Sequence, residues 1–261
     1  MIYDFCTHTD PGRTRENNED SVTFDAAARL GILADGMGGY NAGEVASGMA
    51  TTYIKSELGR WLGEAGHVAS HREMRRALEI CVDNANRSIF NAANSNSQYS
   101  GMGTTLVVGV FLDDRVLLGH IGDSRVYRLR GRQLEQITKD HSLLQEQIDA
   151  GLISPEQAAT ALHKNLVTRA LGVEDSVMLE VNEHLVEPGD LYLMCSDGLS
   201  DMIDDAAIAL VLDSDASLPQ KAIQLIENAN AGGGRDNISV LLAQAGESPP
   251  RRGLISRWLG K

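Results

Sequence analysis

Four short stretches of this chain set a carboxylate where the backbone must turn sharply: Asn17-Asn18-Glu19-Asp20, Ala34-Asp35-Gly36, Ser196-Asp197-Gly198 and Gly234-Arg235-Asp236-Asn237. Two of them close apolar runs of strand length, Leu30 to Ala34 and Leu191 to Cys195, and the last precedes another, Ile238 to Ala243. An apolar strand that ends in an acid and then in glycine carries the acid to the mouth of a fold, where the backbone can pass close to whatever the acid holds. Hard divalent cations take oxygen ligands, and Mg²⁺ keeps several waters while accepting only a few carboxylates or carbonyls. Acids contributed one at a time from distant strands suit such ions. On this reading Asp35 bridges two ions, the Gly36 carbonyl meets one of them, and Asp197 and Asp236 complete the set. Two ions about 3.5 to 4 Å apart ready water for in-line attack on a phosphoryl group. Any single Asp-Gly pair is an ordinary turn former. Coincidence weakens when two such pairs both follow apolar strands and Asp236 adjoins a glycine run.

The elements that must position these acids follow from periodicity. Ile2 to Thr9 reads as a strand, followed by the turn Asp10-Pro11-Gly12 and a polar segment to Asp20. Ser21 to Asp25 and Arg29 to Ala34 read as a hairpin leading into Asp35. Ala42 to Leu62 has helical spacing, and a second helix starts at Ser70 with Glu73 placed for a capping box. Its stripe Met74, Ala77, Leu78, Cys81, Ala85 and Ile89 faces a core. Asn91 to Gly103 reads as a loop. Thr104 to Leu112, Arg115 to Ile121, Val126 to Arg130 and Gln133 to Ile137 are strands joined by tight turns. Helices begin near Ser142 and at Ser154-Pro155-Glu156-Gln157. Val177 to Val186 and Asp190 to Cys195 are strands across the turn Pro188-Gly189, followed by helices Asp204 to Leu212 and Ser217 to Ala231. Strands linked by short turns with helices inserted in pairs predict an α+β fold: a central antiparallel β-sandwich flanked on each face by a pair of helices.

Composition narrows the partners. With 23 basic and 36 acidic residues the formal charge is −13, which argues against a nucleic-acid backbone as partner. The three cysteines, Cys6, Cys81 and Cys195, are scattered in apolar patterns and read as reduced thiols of a cytoplasmic protein. No export signal or membrane-spanning run is expected. Cys81 and Arg87 have the Cys-x5-Arg spacing of cysteine-dependent phosphatases, but no glycine lies between them and Cys81 falls on an apolar stripe. A buried thiol without positive charge nearby is inert. A phosphate loop of the Gly-x4-Gly-Lys-Ser/Thr kind is also lacking.

In order, Arg15-x-x-Asn18-Glu19-Asp20, Asp35-Gly36-Met37-Gly38-Gly39, Gly101-x-Gly103-Thr104-Thr105, Gly122-Asp123-Ser124-Arg125, Asp140-His141-Ser142, Thr168-Arg169-Ala170-Leu171-Gly172, Ser196-Asp197-Gly198-Leu199 and Gly234-Arg235-Asp236-Asn237 resemble the PPM, or type 2C, family of protein phosphatases. The match runs from Asp10 to about Ala243. The resemblance implies Mg²⁺- or Mn²⁺-dependent hydrolysis of phosphoserine and phosphothreonine in proteins, in opposition to a cellular Ser/Thr kinase. It implies metal ligands at Asp35, Gly36, Asp197 and Asp236, an orienting role toward water for Asp20, and a third-ion site at Asp123 with Asp197. It further implies that Arg15 binds substrate phosphate, with Glu19 in the outer ring of the site and Asn237 supporting it. Eukaryotic members carry histidine directly after the Asp-Gly pair as the proposed leaving-group acid; this chain has Met37, as bacterial relatives do. Water on the third ion held by Asp123 is one substitute acid, and His141 is a weaker one.

Two boundaries complete the expectation. Residues 1–246 form the phosphatase domain, with a flap at approximately 142–169 beside the site. Residues 247–261 form a basic tail in which Arg251, Arg252, Arg257 and Lys261 alternate with Leu254, Ile255, Trp258 and Leu259. Such a tail frays or docks on an anionic membrane or a partner. Two competing readings are a catalytically silent phosphoprotein-binding module, which should have lost some of the acids, and a metal-dependent nuclease or phosphodiesterase, which the acidic charge opposes.

Overall fold

The computed structural model describes residues 1–38, 42–154, 157 and 166–247. Gly39, the helix expected after Ser154 and the tail from Ser248 fall outside them, although Ser154 and Gln157 exchange the expected cap bonds, at 2.8 and 3.3 Å. Eleven strands among the described residues make two antiparallel sheets. The first carries β1 (Ile2–Asp10), β11 (Ile238–Gly246), β10 (Leu191–Cys195), β7 (Arg125–Arg130) and β8 (Gln133–Gln136), in that order. The second carries β2 (Asp20–Asp25), β3 (Leu30–Met37), β5 (Leu106–Phe111), β6 (Arg115–Ile121) and β9 (Glu180–Leu185), with the short β4 (Gly103–Thr104) on β3.

Period-two alternation divides the core into layers. On β3, Leu30, Ile32 and Ala34 pack with Ile54, Leu58, Leu78 and Ile89 of α1 (Ala42–Ala65) and α2 (His71–Ser95). Leu33 faces the other way, into the layer between the sheets with Phe111, Tyr192, Met194 and Leu241. On β11, Ile238, Val240 and Leu242 meet Ile208, Leu212, Leu225 and Ile226 of α5 (Asp205–Leu212) and α6 (Leu218–Ala231). The result is the α-β-β-α sandwich with a helix pair on each face.

The Ser70–Glu73 capping box is present, with Glu73 Oε2 accepting from the Ser70 N–H at 2.7 Å, and Ser142 caps the short α3 (Leu143–Asp149). Three expectations are corrected. The second helix runs on to Ser95, so only residues 96–102 leave helix α2 as connection, because Ala92 and Ala93 still pack on the core. Pro188-Gly189 does not close a hairpin: β9 lies at the edge of one sheet and β10 inside the other. The buried Asp190 carboxylate, paired with Arg130 at 2.7 and 2.8 Å and accepting from the Glu187 N–H at 2.8 Å, holds that crossing. A four-residue helix, α4 (Asp197–Ser200), also starts at the acid after β10. No helix among the described residues is long and apolar enough to cross a membrane.

Candidate metal centre

The acids meet at one end of the sandwich because central strands of both sheets finish or begin there. Antiparallel pairing sets Asp20, the first residue of β2, opposite Asp35 near the end of β3. The Asp35 backbone is held on both sides. Its N–H donates to Thr105 Oγ1 at 3.0 Å, and its carbonyl accepts from the Thr105 N–H at 2.8 Å and Thr104 Oγ1 at 2.9 Å. Gly36 donates to the Glu19 carbonyl at 3.1 Å. A Cβ on Gly36 would lie 2.2 Å from the Gly43 carbonyl oxygen, so only glycine lets the start of α1 close over this strand end.

The opposite wall comes from the first sheet. Asp197 opens α4 immediately after β10, and Asp236 lies two residues before β11. Ser196 ties the two walls: it accepts the Ser239 N–H at 2.9 Å and donates to Asp20 Oδ2 at 2.8 Å. Asn237 fastens the N-terminal loop. Its amide donates to the carbonyls of Pro11 and Asn17 at 3.0 and 2.8 Å, and its Oδ1 accepts the Glu19 N–H at 2.8 Å. That loop carries Arg15, whose Nη2 donates to Asp236 Oδ2 at 2.8 Å. Asp123 arrives from the turn between β6 and β7, anchored by a 2.7 Å hydroxyl pair between Ser124 and Thr105.

These walls enclose a cavity of about 280 Å³ lined by Arg15, Glu19, Asp35, Gly36, Met37, Gly38, Thr105, Asp123, Val167, Asp197 and Asp236. Asp20 and Asn237 stand outside that lining: Asp20 is wedged behind Asp35, and Asn237 braces the loop beneath Arg15. Five carboxylates thus face one cation, Arg15, among the lining residues. Burial, and then the fields of Asp20, Asp197, Asp123 and Asp236, push the Asp35 carboxyl well above the usual carboxylate range. Burial and then Asp123, Asp201 and Asp236 do the same to Asp197. Asp20 and Asp123 are each raised to about 6, chiefly by burial; the Ser196 hydroxyl pulls Asp20 back, and Asp140 adds to the rise at Asp123. Burial also raises Glu19, against the pull of Arg15.

Two observations test whether cations suit this set. Asp20 Oδ1 is buried without a hydrogen-bond partner, an arrangement that costs about 1–3 kcal/mol unless something satisfies it. Among the described lining residues the five carboxylates also outnumber the single cation, Arg15, and buried acids need compensating positive charge. An oxygen-only donor set is the chemistry of Mg²⁺ or Mn²⁺. The acids are nevertheless spread too widely to cage one ion. Among the described residues, the only trio whose ligand atoms all lie within 4.8 Å of one another is His120, His141 and Glu180. A dispersed set suits ions shared between walls.

Of the candidate site residues, Arg15, Glu19, Asp35, Gly36, Asp123, Asp197 and Asp236 line the cavity, and Asp20 and Asn237 stand against it. Sequence reasoning passed over Ser196, Thr105 and Gly43 as functional braces; the one signal was that small hydroxyl or glycine residues adjoin or face the acids. His120 and Glu180 carried no signal, because only packing stacks the His120 and His141 rings, 4.5 Å apart and 10° from parallel.

Residues 12–231 match the family model for protein phosphatase 2C. Over 243 residues the chain is 37% identical to protein phosphatase PhpP of Streptococcus pneumoniae, covering 92% of this chain and 96% of that one. The crystal structure of the Mycobacterium tuberculosis serine/threonine phosphatase PstP/Ppp superposes with a TM-score of 0.87 at 38% identity, over 95% of this chain and all of the other. A PstP catalytic domain solved in complex with two manganese ions gives a TM-score of 0.83 at 37% identity, over 94% of this chain and 99% of that one. With the sandwich, the cavity of acids and these likenesses together, the chain belongs to the protein phosphatase 2C family.

Proposed function

We propose that this serine/threonine protein phosphatase does its chemistry in the acid-lined cavity, with Asp35, the Gly36 carbonyl, Asp197 and Asp236 holding two divalent cations and Asp123 with Asp197 holding a third. The observation that carries the reading is the convergence of five carboxylates from both sheets on one cavity with a lone arginine. Mn²⁺ or Mg²⁺, when bound, supplies the charge that readies water at neutral pH and neutralises the phosphoryl group.

The chain's own residues do the rest. Burial and mutual repulsion make Asp35 and Asp197 hold protons more readily than ordinary carboxylates, and divalent cations would relieve the same repulsion by taking the protons' place. Asp20 braces Asp35 from behind the lining, tied to Ser196, and orients metal-bound water. Arg15, half-exposed at the rim, exchanges Asp236 for the substrate phosphate, whose oxygens suit its planar fork. Glu19 lines the outer wall, and Asn237 fixes the height of the loop that bears Arg15. With a cation held at Asp123 and Asp197, water on it would supply the proton needed by the leaving serine or threonine oxygen, in the place where Met37 offers none.

The substrates are phosphoserine and phosphothreonine proteins, and the cellular role is reversal of a Ser/Thr kinase in the cytoplasm, where unpaired Cys6, Cys81 and Cys195 stay reduced. Residues 1–246 suffice for catalysis, with approximately 142–169 as the flap beside the site. Phosphate release from a phosphothreonine peptide tests the reading. Release should need Mn²⁺ or Mg²⁺, stop with EDTA, and be lost in Asp35→Asn; a phosphotyrosine peptide should be a poorer substrate. Phosphothreonine hydrolysis that persists in EDTA would overturn it.

A further inference from the structure

His141 sits where three segments meet. It is 7% exposed, and both edges of the Gly122 peptide are bound to it. The Gly122 N–H donates to His141 Nδ1 at 3.1 Å, and the His141 N–H donates to the Gly122 carbonyl at 2.9 Å. Gly122 holds a φ of +99°, a Cβ on it would lie 2.7 Å from the Thr105 Cγ2, and Asp123 follows it. On its other side the His141 carbonyl accepts the Thr168 N–H at 2.9 Å, and the next residue, Ser142, bridges to Val167 of the cavity wall.

The ring's remaining nitrogen decides its chemistry. Because Nδ1 accepts from an amide, Nε2 carries the hydrogen and donates toward Glu180 Oε2, 3.2 Å away. His120, His141 and Glu180 have the spacing of a metal site, but the geometry rejects one. The two rings are stacked nearly parallel, so their in-plane lone pairs run side by side rather than converging. His120 Nε2 is engaged by the Lys139 carbonyl at 2.8 Å, and the Arg169 guanidinium lies 3.3 Å from His141 Nε2.

Resting on the function proposed above, we propose that His141 is a positioning residue: its Nδ1 sets the Gly122-Asp123 turn while its backbone carbonyl holds the returning flap arm at Thr168, so that Asp123 and Val167 keep one spacing across the cavity. Burial first, and then the facing His120, hold the imidazole pKa below its ordinary value, with Arg169 adding to this and Glu180 opposing it. A doubly protonated ring would set N–H against N–H at Gly122, so the acceptor role and the depressed basicity agree.

Two near-isosteric variants separate the roles of the ring atoms. His141→Asn keeps an acceptor at the Nδ1 position; His141→Gln keeps a polar group near Nε2 but loses that acceptor. In the metal-free protein the Gly122 amide should exchange with solvent roughly fivefold faster or more in His141→Gln and stay protected in His141→Asn, given that the lost bond is worth about 1 kcal/mol or more. With Mn²⁺ and p-nitrophenyl phosphate, kcat should fall about 10- to 100-fold in His141→Gln, the range for residues that orient a metal site, and remain within about threefold in His141→Asn. Unchanged Gly122 exchange in His141→Gln would overturn the proposal. So would equal losses of kcat in the two variants, or lowered melting temperatures with unaltered kcat in both. The exchange measurement needs neither metal nor turnover, so it decides the role of His141 even if the wild type releases no phosphate.

Discussion

The floor and the rim of the cavity are built differently. On the floor, Asp35 rides a central strand whose backbone is pinned by Thr104, Thr105 and the β2 ladder, and Ser196 bolts Asp20 across from the opposite sheet. At the rim, Asp123 sits in a turn held by the Ser124–Thr105 hydroxyl pair and the His141 ring, and Arg15 sits on a loop held by Asn237. Strand ladders resist displacement over many residues, whereas a turn yields when one side-chain bond goes. On the reading proposed above, Asp35, which would be shared between cations, stands on the stiff part, and Arg15, which would meet variable substrates, stands on an adjustable one.

The strongest way to break this contrast is at the floor. Asp35→Asn should lower phosphopeptide turnover by roughly 10³-fold or more, since the metal's contribution is several kcal/mol, while raising the melting temperature of the EDTA-treated protein by removing a repelled buried charge. A destabilised variant would contradict the crowding argument. Asp20 gives a pH signature next in size. Its folded value of about 6, against an ordinary 3.8, means that the folded metal-free chain binds the proton more tightly than the unfolded one. That contribution is full below about pH 4 and is lost as the pH rises to about 6, roughly 3 kcal/mol across the window. Denaturant unfolding in EDTA should show the loss in wild type and a flatter profile in Asp20→Asn.

Rim changes should be milder. Arg15→Ala is expected to cut kcat/KM for a phosphopeptide about 10- to 100-fold, the worth of one charge-assisted bond, with Arg15→Lys recovering part of it and the melting temperature unmoved. Asp123→Asn should reduce kcat roughly tenfold, the low end for a proton-transfer or orienting group, while Mn²⁺ titration calorimetry still finds the paired ions. Loss of the pair would move Asp123 from rim to floor. Deleting residues 248–261 sets the lower bound: peptide hydrolysis within about twofold of wild type in steady-state assays, because every lining residue among the described ones precedes that point.

Much of this was legible in the residue order. The acids announce themselves because glycine or asparagine neighbours at strand ends are hard to explain otherwise, and the helix caps at Ser70, Ser142 and Ser217 follow from local hydrogen-bonding chemistry. Local rules, however, do not say which sheet a strand joins. Pro188-Gly189 looks like any hairpin turn, yet the paired Arg130 and Asp190 make it a crossing between sheets. In the same way Asp20 is one acid among several in the sequence, and only the sandwich places it behind Asp35 with one oxygen unpartnered. The stacking of His120 on His141 belongs to that class as well. The sequence by itself determined the strands, the caps and the identity of the acids, since those depend on neighbours along the chain. The tertiary structure alone decided which acids line the cavity, which brace it and how a histidine reaches the Asp123 turn, because those depend on contacts between residues far apart in the chain.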